Sequence, residues 1–195
     1  MKTAAAKEIP VRLFSNQKAW ATWLAKHHAS SSGVWLRIAK KGGNVKSVSY
    51  AEALDVALCY GWIDGQKQTF DESTYRQKFT PRGAKSIWSK INRAKAEQLV
   101  LGGKMQAAGL NAIERAKQDG RWEKAYESQR TARIPADLQA ELDQHPQAQA
   151  FYATLNSVNR YAILFRIQTA KKAETRAQRI QKFIQMLEKH EKIHP

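Results

Sequence analysis

Apolar residues near the start of the chain follow two spacings, one typical of helices and one typical of strands. From Ser15 to about His28 they recur every three or four residues, which predicts a helix capped by the serine. Residues 34–40, VWLRIAK, alternate instead, and this alternation predicts a strand. Its three aliphatic residues face one way, so Trp35 and Arg37 face the other.

A second helix and a hairpin follow this strand. Ser49 and Glu52 form a capping-box pattern at the start of SYAEALDVALCYG, and Gly61 stands where a left-handed C-cap is expected. Residues 66–70 and 74–80 are predicted to form two strands joined by a turn at residues 71–73, DES. The chain therefore passes from a helix into an antiparallel hairpin.

A long helix is predicted over residues 86–103, where two glycines close the pattern. Ile91, Ala94, Gln98 and Leu101 recur at helical spacing and are predicted to trace one face of this helix. A shorter helix follows it, and the remainder of the chain carries four more helical patterns with short breaks between them.

The order of these elements predicts an α+β protein, in which a small antiparallel sheet packs with helices and an all-helical C-terminal module follows. Strands that cluster together, without alternating βαβ units, are typical of this class. We predict an α+β domain over residues 1–130 and a helical module over residues 135–195, joined by a polar linker.

Composition adds a strongly basic surface to this picture. Hydrophobic residues make up 43% of the 195, and the net charge is +16. An excess of this size suits nucleic acid, an acidic protein or an anionic surface as a partner. The single cysteine excludes an internal disulfide and suits a reducing compartment. No stretch approaches the ~20 apolar residues of a spanning helix, and MKTAAAKEIP has no secretory core, so we expect a cytoplasmic protein without a transmembrane segment.

A basic run without any acidic residue extends from Ser73 to Ala96. Its cations alternate on the second hairpin strand with Tyr75 and Phe79, which we expect to pack inward. The outward cations could neutralise several phosphates of a nucleic acid or another polyanion. The alternative is a solvated basic surface balanced by acids from elsewhere in the fold. The candidate anion-binding residues are Arg76, Lys78, Arg82, Lys85, Lys90 and Arg93.

The stretch GWIDGQ, residues 61–66, is interpreted mainly as a junction between helix and strand, and Gly65 is expected to mark either a β-bulge or a close approach of the backbone. Its carboxylate, Asp64, has three roles open to it: a cap, an ion pair with Arg76 across the hairpin, or an acid/base in an enzyme. A small candidate pocket would involve Trp62, Asp64 and Trp88.

No other motif carries chemistry. The chain has no HExxH, no cysteine pair, no phosphate loop and no nucleotide fingerprint, so we predict no metal, no cofactor and no catalytic residue. Cys59 is expected to pack as a small apolar group.

Two blocks of the sequence resemble a known family. The stretches GWIDG, YRQKFTPR and AKKAETRAQRI are similar to recognisable segments of the YdeI/OmpD-associated family, also called bacteriocin-protection proteins. The resemblance implies an α+β domain distantly like YjbR/CyaY-type folds, followed by a helical module. It also implies protection against antimicrobial peptides or bacteriocins through a protein or envelope partner. No catalytic residues come with it.

Three hypotheses therefore follow from the sequence. The first is a non-enzymatic protein that binds nucleic acid or another polyanion. The second is a stress-protection protein that acts through a protein or envelope partner. The third is an enzyme with a small pocket near Trp62 and Asp64.

Overall fold

The computed structural model describes residues 8–195, and this part of the chain contains four strands and eight helices. The strands are β1 (Val11–Leu13), β2 (Val34–Ala39), β3 (Trp62–Thr69) and β4 (Thr74–Pro81). The helices are α1 (Gln17–His27), α2 (Tyr50–Cys59), α3 (Lys90–Leu101), α4 (Ala107–Gln118), α5 (Ala136–Gln144), α6 (Pro146–Thr154), α7 (Ser157–Gln168) and α8 (Ala173–Glu188). The predicted α+β class is confirmed.

The chain divides into two compact units. The α+β unit runs to Trp88 and includes Asn92–Lys124, so it holds the sheet, α1, α2, α4 and most of α3. The helical unit consists of Ser89–Ile91 and Ala125–Pro195, and it contains α5 to α8. None of the helices within residues 8–195 combines the length and the apolar character that crossing a membrane requires.

The four strands form one mixed sheet in the order β1-β2-β4-β3. The two pairings that involve β4 are antiparallel, as predicted, but β1 pairs with β2 in parallel. The sheet is therefore mixed, because β1, a strand that the sequence did not predict, joins it in parallel. A three-residue strand whose side chains are all exposed shows no alternation, so no local pattern reveals β1.

The core of the α+β unit joins α1 and α2 to the inner face of the sheet. Trp20 of α1 is completely buried and donates from Nε1 to the carbonyl oxygen of Ala53 at 3.0 Å. Its ring centroid lies 5.8 Å from that of Phe79 and 6.3 Å from that of Trp62. The helix is capped by Asn16, whose Oδ1 accepts from the amide of Ala19, and not by the predicted serine.

Local signals place α2 and the turn that follows it. The predicted capping box between Ser49 and Glu52 is present in both directions. Gly61 has a φ of +70°, and a Cβ there would lie 2.7 Å from the carbonyl oxygen of Ala108. This position therefore needs glycine for both its backbone conformation and its close approach to α4.

A β-bulge shapes β3, which begins four residues earlier than the predicted strand. Asp64 pairs with Phe79, but the next pair is Lys67 with Gln77, so the predicted irregularity near Gly65 is confirmed. The buried amide of Gln77 donates to the carbonyl oxygen of Gly65 at 2.9 Å. This hydrogen bond satisfies a backbone group that the bulge removes from the ladder.

The helical unit has its own core, formed by one face each of α5 to α8. The predicted apolar face of α8 is confirmed, because Ile180, Phe183, Ile184 and Leu187 are all buried. Asn159, 1% exposed, donates to the carbonyl oxygen of His194 at 3.2 Å and accepts from its amide at 2.9 Å. The last residues of the chain are thereby tied to α7.

Candidate polyanion-binding face

The outer face of the sheet brings together side chains from β2 and β4. The register pairs Trp35 with Lys78 and Arg37 with Arg76. Directly paired residues point to the same side of a sheet. Since the aliphatic residues of β2 are buried on the inner side, these four side chains lie on the opposite, partly exposed side. We call Trp35, Arg37, Arg76 and Lys78 the basic sheet face.

An indole lies among the cations of this face. The guanidinium carbon of Arg76 is 4.8 Å from the ring centroid of Trp35, and the ammonium nitrogen of Lys78 is 5.8 Å from it. Both distances are within the range of attraction between a cation and the ring quadrupole. Trp35 is therefore held at the surface with two positive charges beside it.

Two of the three cations have no carboxylate partner. Within residues 8–195, neither Arg76 nor Lys78 forms an ion pair; Arg76 donates from Nε to the side chain of Gln68 at 2.9 Å. Arg37 differs, because it binds Asp71 at 2.5 Å and Thr74 at 2.9 Å. The charges of Arg76 and Lys78 are therefore the ones that remain for a ligand.

The short strand β1 extends this face with apolar side chains. Val11 pairs with Trp35 and Leu13 pairs with Arg37, so both point to the outer side. They are 39% and 47% exposed. The face therefore offers an apolar strip beside its indole and its charges, which suits a ligand with both apolar and anionic parts.

Arg82 does not belong to an outward basic surface, and its assignment as such was wrong. Its side chain is only 7% exposed, and its guanidinium carbon lies 3.5 Å from the ring centroid of Trp88. Nη1 also donates to the carbonyl oxygen of Ile87 at 3.2 Å. The chain turns back after β4 and covers this arginine, so the alternation that holds within the strand no longer applies there.

Two other predicted cations are compensated by acids. Lys90 forms an ion pair with Glu127, and this hydrogen bond is the largest cause of the lowered pKa of that carboxyl. Arg93 lies 3.7 Å from Glu97 and donates to the carbonyl oxygen of Trp122 at 3.2 Å. Lys85 is exposed and has no ion pair in the described part of the chain.

The residues of the candidate pocket lie in or near the core. Trp62 and Trp88 are 1% and 2% exposed, and Trp62 donates from Nε1 to the carbonyl oxygen of His28 at 3.1 Å. Asp64 accepts a hydrogen bond from the hydroxyl of Tyr50 at 2.8 Å. The ion pair between Asp64 and Arg76 is absent, because Asp64 pairs with the inward-facing Phe79 and so lies on the other side of the sheet.

The described residues offer neither a metal site nor a reactive thiol. Among positions 8–195, no cluster of three or more His, Cys, Asp and Glu side chains could hold a metal ion. Cys59 is buried, and its burial, followed by the nearby charge of Asp55, raises the pKa of the thiol to about 11. The thiol is therefore neutral near pH 7, as expected for a side chain that packs as an apolar group.

Sequence reasoning missed Trp35 and Arg37 as parts of this site. Their strand showed the alternation that places both opposite the core, so the signal for an outward orientation was present. The missing information was the register between β2 and β4, which joins segments that are distant in the chain.

These features define a small basic protein with an α+β unit and a helical unit. Residues 12–112 match the family model described as Domain of unknown function (DUF8412), and because this match covers just over half of the sequence, the chain belongs to that family. Residues 131–190 match the model described as Bacteriocin-protection, YdeI or OmpD-Associated, which confirms the resemblance recognised in the sequence. Searches of curated proteins and of solved structures gave no significant match.

Proposed function

We propose that this protein is a non-enzymatic binding protein whose basic sheet face binds a polyanion, with single-stranded nucleic acid as the ligand that suits the face best. The observation that carries the proposal is the position of Trp35 beside Arg76 and Lys78 on the outer side of the sheet. Single-strand binders combine cations that track the phosphates with aromatic rings on which bases stack.

Each part of the face has a separate task in this proposal. Arg76 and Lys78 contact two phosphates, and Trp35 stacks on an unpaired base. The apolar strip of β1 lies next to the indole and can contact sugar or base edges. Arg37 stays bound to Asp71 and holds the turn between β3 and β4. The proposed location is the cytoplasm, which cell fractionation would test.

Titration at two salt concentrations tests the proposal. The protein is added to a fluorescein-labelled 12-nucleotide oligothymidine, and binding is followed by anisotropy. Two phosphate contacts on a single strand predict that affinity falls about sevenfold between ~50 and ~200 mM salt. A duplex of the same length is expected to bind more weakly, because its bases are not free to stack. No binding at low salt, or an affinity that ignores salt, would reject the proposal.

The match of residues 131–190 supports a second candidate, a protection protein that acts against bacteriocins or antimicrobial peptides through a protein or envelope partner. The test is deletion of the gene in its own host, followed by survival assays with membrane-active peptides and bacteriocins. Loss of survival that the full chain restores supports this function. Unchanged sensitivity, together with a pull-down that recovers no specific partner, would count against it.

The third hypothesis, an enzyme with a pocket near Trp62 and Asp64, gains no supporting geometry. Trp62 and Trp88, the two tryptophans assigned to the candidate pocket, are core side chains, and Asp64 accepts a hydrogen bond from Tyr50. It therefore stays a prediction from the sequence.

A further inference from the structure

The helical unit contains an open cleft of about 580 Å³. The segment before α5 forms one side of the cleft, and residues from α6 and α7 form the other. Leu155 and Leu164, which are 4% and 7% exposed, supply part of an apolar lining. A cleft of this volume is within the range of sites that bind small molecules.

Among the residues that the structure describes, two arginines line the cleft and no acidic residue does. Arg160 is fixed in place, because Nε donates to the carbonyl oxygen of Leu155 at 2.7 Å and Nη2 to that of Ala153 at 2.9 Å. Its Nη1 donates to no residue within positions 8–195 and so remains available to a ligand. The cleft therefore presents a positive charge that is oriented before any ligand arrives.

Arg133, the second arginine, has no hydrogen bond and no ion pair to any residue that the structure describes. The charge of Arg133 contributes to the lowered pKa of Glu127, but that carboxylate is already bound by Lys90 and by the hydroxyl of Thr131 at 2.8 Å. Arg133 therefore keeps its donors for a ligand.

The third polar group is the hydroxyl of Tyr152. This residue lines the cleft and is 6% exposed, yet its hydroxyl bonds to no described residue. The hydroxyl is therefore available to donate a hydrogen bond to a ligand in the cleft. Burial raises the pKa of Tyr152, and the charge of Arg160 partly offsets this, which places that charge near the phenol. Tyr161 in the same cleft differs, because it donates to the carbonyl oxygen of Glu127 at 2.9 Å.

We propose that this cleft binds a small amphipathic carboxylate. The aliphatic body of the ligand lies on Leu155 and Leu164, and its carboxylate accepts hydrogen bonds from Arg133, Arg160 and the hydroxyl of Tyr152. Charge complementarity selects the occupant, since a cationic or neutral ligand would leave two guanidinium groups without a counter-charge. The proposal is independent of the basic sheet face, which belongs to the other unit.

Calorimetric titration of the full chain with sodium octanoate tests the site, with 1-octanol as the matched ligand that lacks the carboxylate. We expect octanoate to bind at least about tenfold more tightly than octanol, because hydrogen bonds between charged partners are stronger than those between neutral ones. Arg133→Gln should weaken octanoate binding about tenfold, and Tyr152→Phe several-fold. Arg130→Gln is the matched control, since Arg130 is exposed and does not line the cleft.

The outcomes separate the proposal from its alternatives. Equal affinity for octanoate and octanol would show a merely apolar cleft and overturn it. So would equal losses in the Arg133 and Arg130 variants, which would show a diffuse attraction of anions by a basic protein. Absence of octanoate binding at millimolar concentration would also overturn it. Circular dichroism of each variant confirms that the helices remain folded.

Discussion

Replacing the cations and the indole of the basic sheet face separately should change two different quantities in nucleic-acid binding. The slope of log affinity against log salt counts phosphates neutralised, and each contact to a single strand contributes about 0.7. The double variant Arg76→Gln with Lys78→Gln should therefore lower this slope by about 1.4. The structure supports a count of two, because Arg37 is already bound by Asp71.

Replacing the indole should act on the affinity and leave the slope alone. Trp35→Ala removes a stacking surface worth about 1–3 kcal/mol per base, which corresponds to a loss of roughly fivefold or more. The charges that contact phosphates remain, so the salt slope should stay unchanged. Trp35→Phe keeps a smaller ring, so its affinity for the strand should lie between that of the unchanged protein and that of Trp35→Ala.

The assay is oligothymidine anisotropy at four or more salt concentrations, with Lys182→Gln plus Lys189→Gln as the control. Both control lysines are exposed on the helical unit, and their removal lowers the net charge by the same amount. An equal loss of slope in the control would show that the whole field of the protein attracts the strand, and it would refute a local site. A changed slope without a changed affinity in Trp35→Ala would equally refute the division of tasks.

Two further predictions concern stability. Gly109→Ala should cost about 1–3 kcal/mol of unfolding free energy, because its Cβ would lie 2.8 Å from the carbonyl oxygen of Leu58. Urea unfolding checks this against Gly83→Ala, whose Cβ meets nothing closer than 3.6 Å; equal losses would contradict it. The hydrogen bond from Arg176 is the main cause that lowers the pKa of Asp137 in the folded protein from its ordinary value of 3.8. The ionised carboxylate should therefore stabilise the fold at pH values above 3.8, and this stabilisation should be lost as the pH falls through the lower pKa of the folded state. Asp137→Asn should therefore be less stable at pH 7, with a difference that disappears in acid; a difference that persists there would contradict the linkage.

The parts of the fold that could be predicted are those encoded in neighbouring residues. The capping box of Ser49 and Glu52, the alternation of β2 and the apolar face of α8 each depend on residues within a few positions of one another. The three-residue strand β1 exists only through its pairing with β2, so no local pattern could reveal it.

The predicted face of α3 shows how tertiary packing can override periodicity. Ile91 and Leu101 are 51% and 80% exposed, whereas Ala96 is completely buried. Lys95 of this helix forms an ion pair with Asp55 of α2 at 2.7 Å. The side of α3 that packs within the α+β unit therefore carries a small residue and an ion pair. A small buried residue allows close approach of two helices, and counting large apolar residues does not detect it.

The same limit applies to the candidate site and explains why a run of charges in a sequence is a weak guide to a charged surface. The acid-free run contains six candidate cations, but Arg82 is covered by the chain that follows it, and Glu127 compensates Lys90. A strand from outside the run supplies the indole with which Arg76 and Lys78 make cation–π contacts. Ligand binding by a sheet depends on which strands are neighbours, and that arrangement follows from long-range pairing. A search for similar sites in related sequences should therefore look for an aromatic residue on the strand paired with the cations, and not for the length of the basic run.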